Sequence, residues 1–128
     1  HKAESEFSTY IIDQSHANEI TMVMHDAIAD RRGKDAILII VCAMELGIIT
    51  RLPYLAANKE FPSVGGRSNY NKYLSDGFLD SEKEPIKQLF KKRLPMLFDY
   101  PEGACFGIGA LVILDNKDIR FGLPNVQI

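Results

Sequence analysis

The stretch Lys34-Asp-Ala-Ile-Leu-Ile-Ile-Val-Cys-Ala-Met-Glu-Leu-Gly-Ile-Ile49 decides how this chain is arranged, because every residue from 36 to 44 is apolar. A helix that is apolar on all sides has no face for water and belongs at the centre of a domain. It is shorter than the roughly 20 residues of a membrane span. We therefore predict a central buried helix that ends at Gly47. A buried β-strand over residues 36–42 is the alternative, since Ile and Val are frequent there.

The composition predicts one globular domain over residues 1–128. Of the 128 residues, 46% are hydrophobic, which is enough for a core that needs no disulfides. Cys42 lies inside the apolar stretch and Cys105 in an apolar run near the end, so we expect buried free thiols. Glu4 and Glu6 stand where a signal peptide needs apolar residues, and a cytoplasmic location is expected.

The charged residues are unevenly distributed along the chain. Residues 1–50 hold four Lys/Arg and eight Asp/Glu, which gives −4. Residues 51–93 hold nine and five, which gives +4, and residues 94–128 hold two and four, which gives −2. Only the middle third therefore has the charge to attract a polyanion such as DNA. An ordinary solvated surface is the alternative.

Apolar periodicity predicts helices on both sides of the central one. Residues 15–32 form a capped amphipathic helix that Gly33 closes, and residues 54–60 and 67–75 form short helices. A basic helix starts near Ser81 or Pro85 and ends at Leu94, before Pro95. The predicted fold class is mainly α, a helical bundle, with residues 34–94 as helical core and candidate binding segment.

The C-terminal part has a different pattern, typical of β-structure. Residues 108–114 and 119–123 are short apolar runs, and Asp115-Asn116-Lys117-Asp118 between them suits a turn. We predict a small β-hairpin tail over residues 104–124, packed against the helices.

The side chains that carry chemistry form no catalytic or metal-binding pattern. His16 and His25 fall on different faces of one helix and share no acidic cluster. Residues 103–109 are rich in glycine but lack the Lys and Ser/Thr of a phosphate-binding loop. Cys105 has no base partner nearby in the sequence. We therefore expect no enzyme, no metal and no cofactor.

The best candidate site is residues 54–75, where a short helix, a glycine-containing turn and a second short helix follow one another. This outline is typical of a helix-turn-helix, whose second helix places its first residues on base edges in the major groove. Arg reads guanine and Asn reads adenine through paired hydrogen bonds, and lysines contact phosphates. Ordinary packing of a helical hairpin is the alternative. The predicted DNA contacts are Lys59, Arg67, Ser68, Asn69, Asn71, Lys72, Lys87 and Lys91.

Three short motifs follow one another between residues 34 and 94. Gly47-Ile48 ends the apolar helix, aromatic residues punctuate the segment after it, and Phe78-Leu79-Asp80-Ser81 opens the basic helix. In this order the chain resembles the C-terminal part of RteC-type regulators of bacterial conjugative transposons. The family has a denser Arg/Lys stretch before its Phe-Leu-Asp element. The resemblance implies a regulatory or accessory protein of a mobile element.

Together these features predict a non-enzymatic regulatory or accessory protein that binds DNA through residues 54–75. A protein-interaction domain is the alternative, in which exposed aromatic residues and the apolar C-terminal tail contact a partner chain. Neither function requires a membrane.

Overall fold

A computed structural model describes residues 14–49, 52–55, 61–99, 111–113 and 119–121 of the protein. The helices in these residues are α1 (Gln14–Ile28), α2 (Gly33–Glu45), α3 (Arg67–Asp76), α4 (Asp80–Arg93) and the 3₁₀ helix η1 (Pro95–Asp99). The strands are β1 (Tyr54–Leu55), β2 (Leu111–Ile113) and β3 (Ile119–Phe121). The prediction of a mainly helical fold is therefore confirmed. None of the described helices is both long and apolar enough to cross a bilayer.

Helix α2 is the central element, as its composition predicts. Helices α1, α3 and α4 all pack against it. Its fully buried side chains are Ala36, Ile37, Ile39, Ile40, Cys42 and Ala43. The expectation that Val41 and Met44 are also inaccessible is wrong, because both are only half-buried. They lie on one side of α2 with Leu38, which is half-buried as well.

Both ends of α2 are fixed by backbone hydrogen bonds. At its start, the Gly33 amide donates to the Ser63 carbonyl at 2.8 Å. At its end, Gly47 takes φ +75°, and the amides of Gly47 and Ile48 donate to Met44 and Ala43 at 3.0 and 2.9 Å. This is the Schellman pattern, in which a left-handed glycine lets the chain satisfy the last helical carbonyls. The predicted stop at Gly47 is thus confirmed, and the strand alternative for 36–42 is wrong.

Helix α1 is shorter than the predicted 15–32, because it ends at Ile28. The Arg31 amide donates to the Ile28 carbonyl at 3.1 Å, and the Arg31 guanidinium donates to the Ala27 carbonyl. A basic side chain that caps the last carbonyls is a common way to end a helix. Gly33, predicted to close α1, is instead the first residue of α2.

The predicted helix at 54–60 is wrong at its first two residues, which form strand β1, and residues 56–60 lie outside the described part. Strand β1 runs parallel to β2, with Tyr54 opposite Val112 and Leu55 opposite Ile113. Pro53 favours a helix locally, because proline is common in the first helical turn. Pairing with a distant strand overrides it, since strand formation depends on partners more than on local preference.

Helix α4 begins at neither of the two predicted starts. The Leu79 amide donates to the Glu82 carboxylate at 3.0 Å, so the helix begins at Asp80 and contains Pro85 in its second turn. Its end at Arg93, before Pro95, agrees with the prediction. The apolar spacing of this helix predicts a buried stripe of Ile86, Leu89, Phe90 and Leu94. Phe90 and Leu94 are buried, whereas Leu89 is 37% exposed.

Strands β2 and β3 pair antiparallel, with Leu111 opposite Phe121 and Ile113 opposite Ile119. The residues that would join them, 114–118, lie outside the described part of the chain, as do most of residues 101–128. The hairpin tail over 104–124 therefore stays a prediction, and so does the single domain over the whole chain.

Replacing Ile40 by Ala should lower the free energy of unfolding by roughly 2–5 kcal/mol, from lost transfer energy and the cavity left behind. Ile40 is fully buried, and Val41, its half-buried neighbour, provides the matched control. Val41→Ala should cost less, because fewer atoms surround its methyl groups. Urea denaturation of both variants measures the difference. Equal losses would show that α2 is not the centre of the core.

Candidate nucleic-acid interface

Helix α3 presents its polar residues to solvent and buries one aromatic side chain. Tyr70 is the buried residue, whereas Tyr73 and Leu74 are half-buried against the core. The predicted base-reading residues are all exposed: Arg67, Ser68, Asn69, Asn71 and Lys72. The structure thus brings five of the eight predicted contacts onto one accessible helix.

Tyr70 holds α3 against the rest of the structure. Its hydroxyl donates to the Pro53 carbonyl at 3.1 Å. Burial raises the pKa of Tyr70 to about 12, so the hydroxyl keeps its proton and remains a donor at neutral pH. This contact ties α3 to the residue before β1, and it leaves the opposite side of the helix free of packing.

A glycine turn positions the first turn of α3. Gly65 and Gly66 both have positive φ, at +79° and +92°, which L side chains rarely adopt. Gly66 is the N-cap and supplies no side-chain acceptor to the helix. The first backbone amides of a helix have no acceptor inside it and point along its axis, where they favour anions.

Three of the predicted contacts on α3 already have partners within the chain. The Asn69 amide nitrogen donates to the Gly65 carbonyl at 2.6 Å. The Arg67 guanidinium donates to the Leu55 carbonyl at 3.3 Å. Lys72 pairs with Asp76 at 3.0 Å, and this hydrogen bond raises the pKa of Lys72. Binding DNA through these groups therefore requires exchange of partners.

On α4, the lysines face a carboxylate of the central helix. Lys87 and Lys83 lie 2.5 and 2.9 Å from the Glu45 carboxylate. The hydrogen bonds from Lys87 and Lys83 lower the pKa of Glu45, and the bond to Glu45 raises the pKa of Lys83. Lys87, a predicted phosphate contact, therefore already forms an ion pair that holds α4 against α2.

The predicted DNA contacts lie on two helices, α3 and α4, and the contacts that join these helices to α2 lie near its opposite ends. A Cβ atom on Gly33, the first residue of α2, would lie 3.9 Å from the Tyr73 hydroxyl of α3. Lys87 contacts Glu45, the last residue of α2. At 1.5 Å per residue these ends are about 18 Å apart. A face shared by α3 and α4 stays a prediction, and Lys59 lies outside the described residues.

One feature near the end of α4 was not predicted from the sequence. Phe98, in η1, is 67% exposed, and the Lys91 ammonium lies 6.0 Å from the centroid of its ring. Neither Lys91 nor Lys92 forms an ion pair with a residue of the described part of the chain. Phe98 follows the helix-ending Pro95 and belongs to no apolar repeat, so the sequence pattern contained no signal for it.

The described residues contain no group of three or more His, Cys, Asp or Glu side chains that could hold a metal ion. His25 is exposed and His16 half-buried on α1. Cys42 is a buried free thiol, as predicted, and burial raises its pKa to about 11. A thiol with this pKa carries its proton near pH 7 and is a poor nucleophile.

Comparison with protein-family models, curated proteins and solved structures finds no match to this chain. The resemblance of residues 34–94 to RteC-type regulators therefore stays a prediction.

The ion pairs of Glu45 predict a pH-dependent contribution to stability. Its folded-state pKa lies below the ordinary 4.5, so the contribution is present above pH 4.5 and is lost as the pH falls through the folded-state value. Glu45→Gln should lower the free energy of unfolding at pH 7 by about 1 kcal/mol or less, since the pairs are partly solvated. Glu84→Gln is the control, because the Glu84 carboxylate accepts from neutral Gln88. Urea denaturation at pH 7 and pH 3 provides the measurement. A Glu45→Gln deficit that persists at pH 3 would contradict this role.

Proposed function

We propose that this protein is a non-enzymatic regulatory or accessory protein that binds DNA through α3. The observation that carries the proposal is the accessible polar surface of the helix, on which Arg67, Ser68, Asn69, Asn71 and Lys72 are all exposed. Arg and Asn are the side chains that pair two hydrogen bonds with guanine and adenine in the major groove. Helix α4 also exposes Arg93 and Gln88, and these side chains are paired with Asp26 and Glu84.

The proposal does not require the helix-turn-helix outline predicted for residues 54–75, because β1 replaces the start of the first helix. A helix, a three-residue connection and a second helix do occur further on, as α3, residues 77–79 and α4. The first turn of α4 is acidic, with Asp80 and Glu82. Since these carboxylates repel phosphates, α3 is the better helix to enter a groove, with its first amides near the backbone.

The charge pattern implies weak non-specific affinity for duplex DNA. Lys72 and Lys87 are paired with carboxylates of the same chain. Each phosphate contact contributes about 0.9 to the slope of log K against log salt. With two of its lysines neutralised, the protein should show a shallow slope and depend on base contacts for its affinity.

A protein-interaction domain is the second candidate function, and exposed apolar side chains favour it. Leu79 and Met22 are 68% and 65% exposed, although both are large aliphatic residues. In this candidate the tail at residues 104–124, proposed as a β-hairpin, supplies a further apolar surface to the partner chain. Isolated exposed residues are common on monomeric proteins, so this observation supports the candidate less strongly than α3 supports DNA binding.

Asn69→Ala or Asn71→Ala should relax sequence preference at one base pair by roughly five- to a hundred-fold, which corresponds to the loss of a paired hydrogen bond. Ser75→Ala, at an exposed position near the end of the same helix, is the matched control and should change nothing. Lys91→Ala should weaken all duplexes alike, because phosphate contacts carry no base information. Sequencing of the duplexes retained from a random pool, at about 50 mM salt, measures both effects.

Two results would contradict DNA binding through α3. One is failure to retain any duplex at about 50 mM salt, where electrostatic binding is strong. The other is retention with the same preferred sequence in the Asn69→Ala and Asn71→Ala variants while their far-ultraviolet circular dichroism remains native. Retention of duplexes with no sequence preference would mean that the protein binds DNA only through non-specific electrostatic contacts.

A further inference from the structure

The junction of α4 and η1 combines an exposed aromatic ring with two lysines. We refer to Lys91, Lys92 and Phe98 as the α4–η1 patch. The Phe98 side chain is 67% exposed, and the Lys91 ammonium lies 6.0 Å from its ring centroid. A phenyl ring left in water at the surface loses the free energy that its burial would provide, so a ligand that covers it gains that free energy on binding.

The lysines of the patch differ from Arg93 and from the other lysines of the described helices in their neighbours. Lys34 pairs with Glu82, Lys72 with Asp76, Lys83 and Lys87 with Glu45, and Arg93 with Asp26. By contrast, Lys91 and Lys92 form no ion pair with any described residue. Asp99, the exposed residue after Phe98, is the carboxylate nearest in sequence, and two lysines outweigh it. The patch therefore keeps positive charge for an external anion.

We propose that the α4–η1 patch binds single-stranded nucleic acid, with one base stacked on the face of the Phe98 ring opposite Lys91, and with Lys91 and Lys92 at the flanking phosphates. An aromatic side chain next to uncompensated cations is the arrangement that recognises single strands, because each base has a flat face and each linkage a charge. Bases inside a duplex are already stacked and cannot reach the ring. An acidic peptide matches the charge but places no obligatory flat ring beside it. This site shares Lys91 with the predicted duplex contacts but no residue with α3, and it does not depend on the base-reading role proposed for that helix.

Fluorescence anisotropy of the full chain with a labelled oligothymidylate of about 12 nucleotides tests the proposal. Phe98→Ala should weaken binding roughly five- to a hundred-fold, as expected for one lost stack. Phe98→Tyr should retain binding, because a phenol ring stacks as well. Lys92→Ala should reduce the salt slope by about 0.7, the value for one phosphate contact on a single strand. Leu79→Ala is the matched control: Leu79 is as exposed as Phe98 but has no ring.

The same oligonucleotide backbone without bases separates stacking from charge. It should bind more weakly than oligothymidylate and should be insensitive to Phe98→Ala. Equal binding of the two strands, or an unchanged affinity in Phe98→Ala, overturns the proposal. So does a poly-glutamate peptide of equal length that binds as tightly and loses as much on Phe98→Ala, since the patch would then recognise acidic protein. This test is independent of the proposed role of α3. Single-strand binding that needs Phe98 can persist when duplex binding fails, and duplex binding can persist when single-strand binding fails.

Discussion

The need to cover α2 determines where the other described elements lie. A helix that is apolar from residue 36 to 44 cannot expose a face without a large loss of hydrophobic free energy, so α1, α3 and α4 all pack on it. Covering it also orients them. Because Tyr70 points inward on α3, its neighbours on the helix, residues 67–69, 71 and 72, point outward. The accessibility of the candidate interface is thus a consequence of how the core is built.

The second determinant is how the chain uses its own charges. Formally the middle third carries four positive charges in excess, but several of its cations are held by carboxylates of the same chain. Glu45, at the end of α2, receives both Lys83 and Lys87, and Asp26 of α1 receives Arg93. These pairs join helices across the core surface. They reduce the positive charge that remains for a polyanion, and among the described lysines of the middle third only Lys91 and Lys92 form no ion pair with a described residue.

Much of the helical part follows from the sequence, because its signals are local. Continuous apolarity identified α2, Gly47 identified its end, and Pro95 identified the end of α4. The predictions that were wrong concern positions where contacts with residues distant in the sequence determine the structure. Tyr54 and Leu55 form a strand because β2 pairs with them, and Val41 is only half-buried because its exposure depends on how closely the neighbouring helices pack. In the candidate site, exposure on α3 follows from the position of its tyrosines. Neither the pairing of Lys87 with Glu45 nor the exposure of Phe98 could be predicted, since each depends on how two elements meet.

The parallel pairing of β1 with β2 also bears on the order in which the molecule assembles. Tyr54 and Val112 are 112 − 54 = 58 positions apart, whereas α1, α2 and their short connection form from neighbouring residues. Closing so long a loop costs conformational entropy, and the contacts between two short strands offset this cost only after the loop has closed. Among the described elements we therefore expect the sheet to form on helices that are already packed, and to open before they do. Its backbone amides should exchange with solvent faster than those of α2.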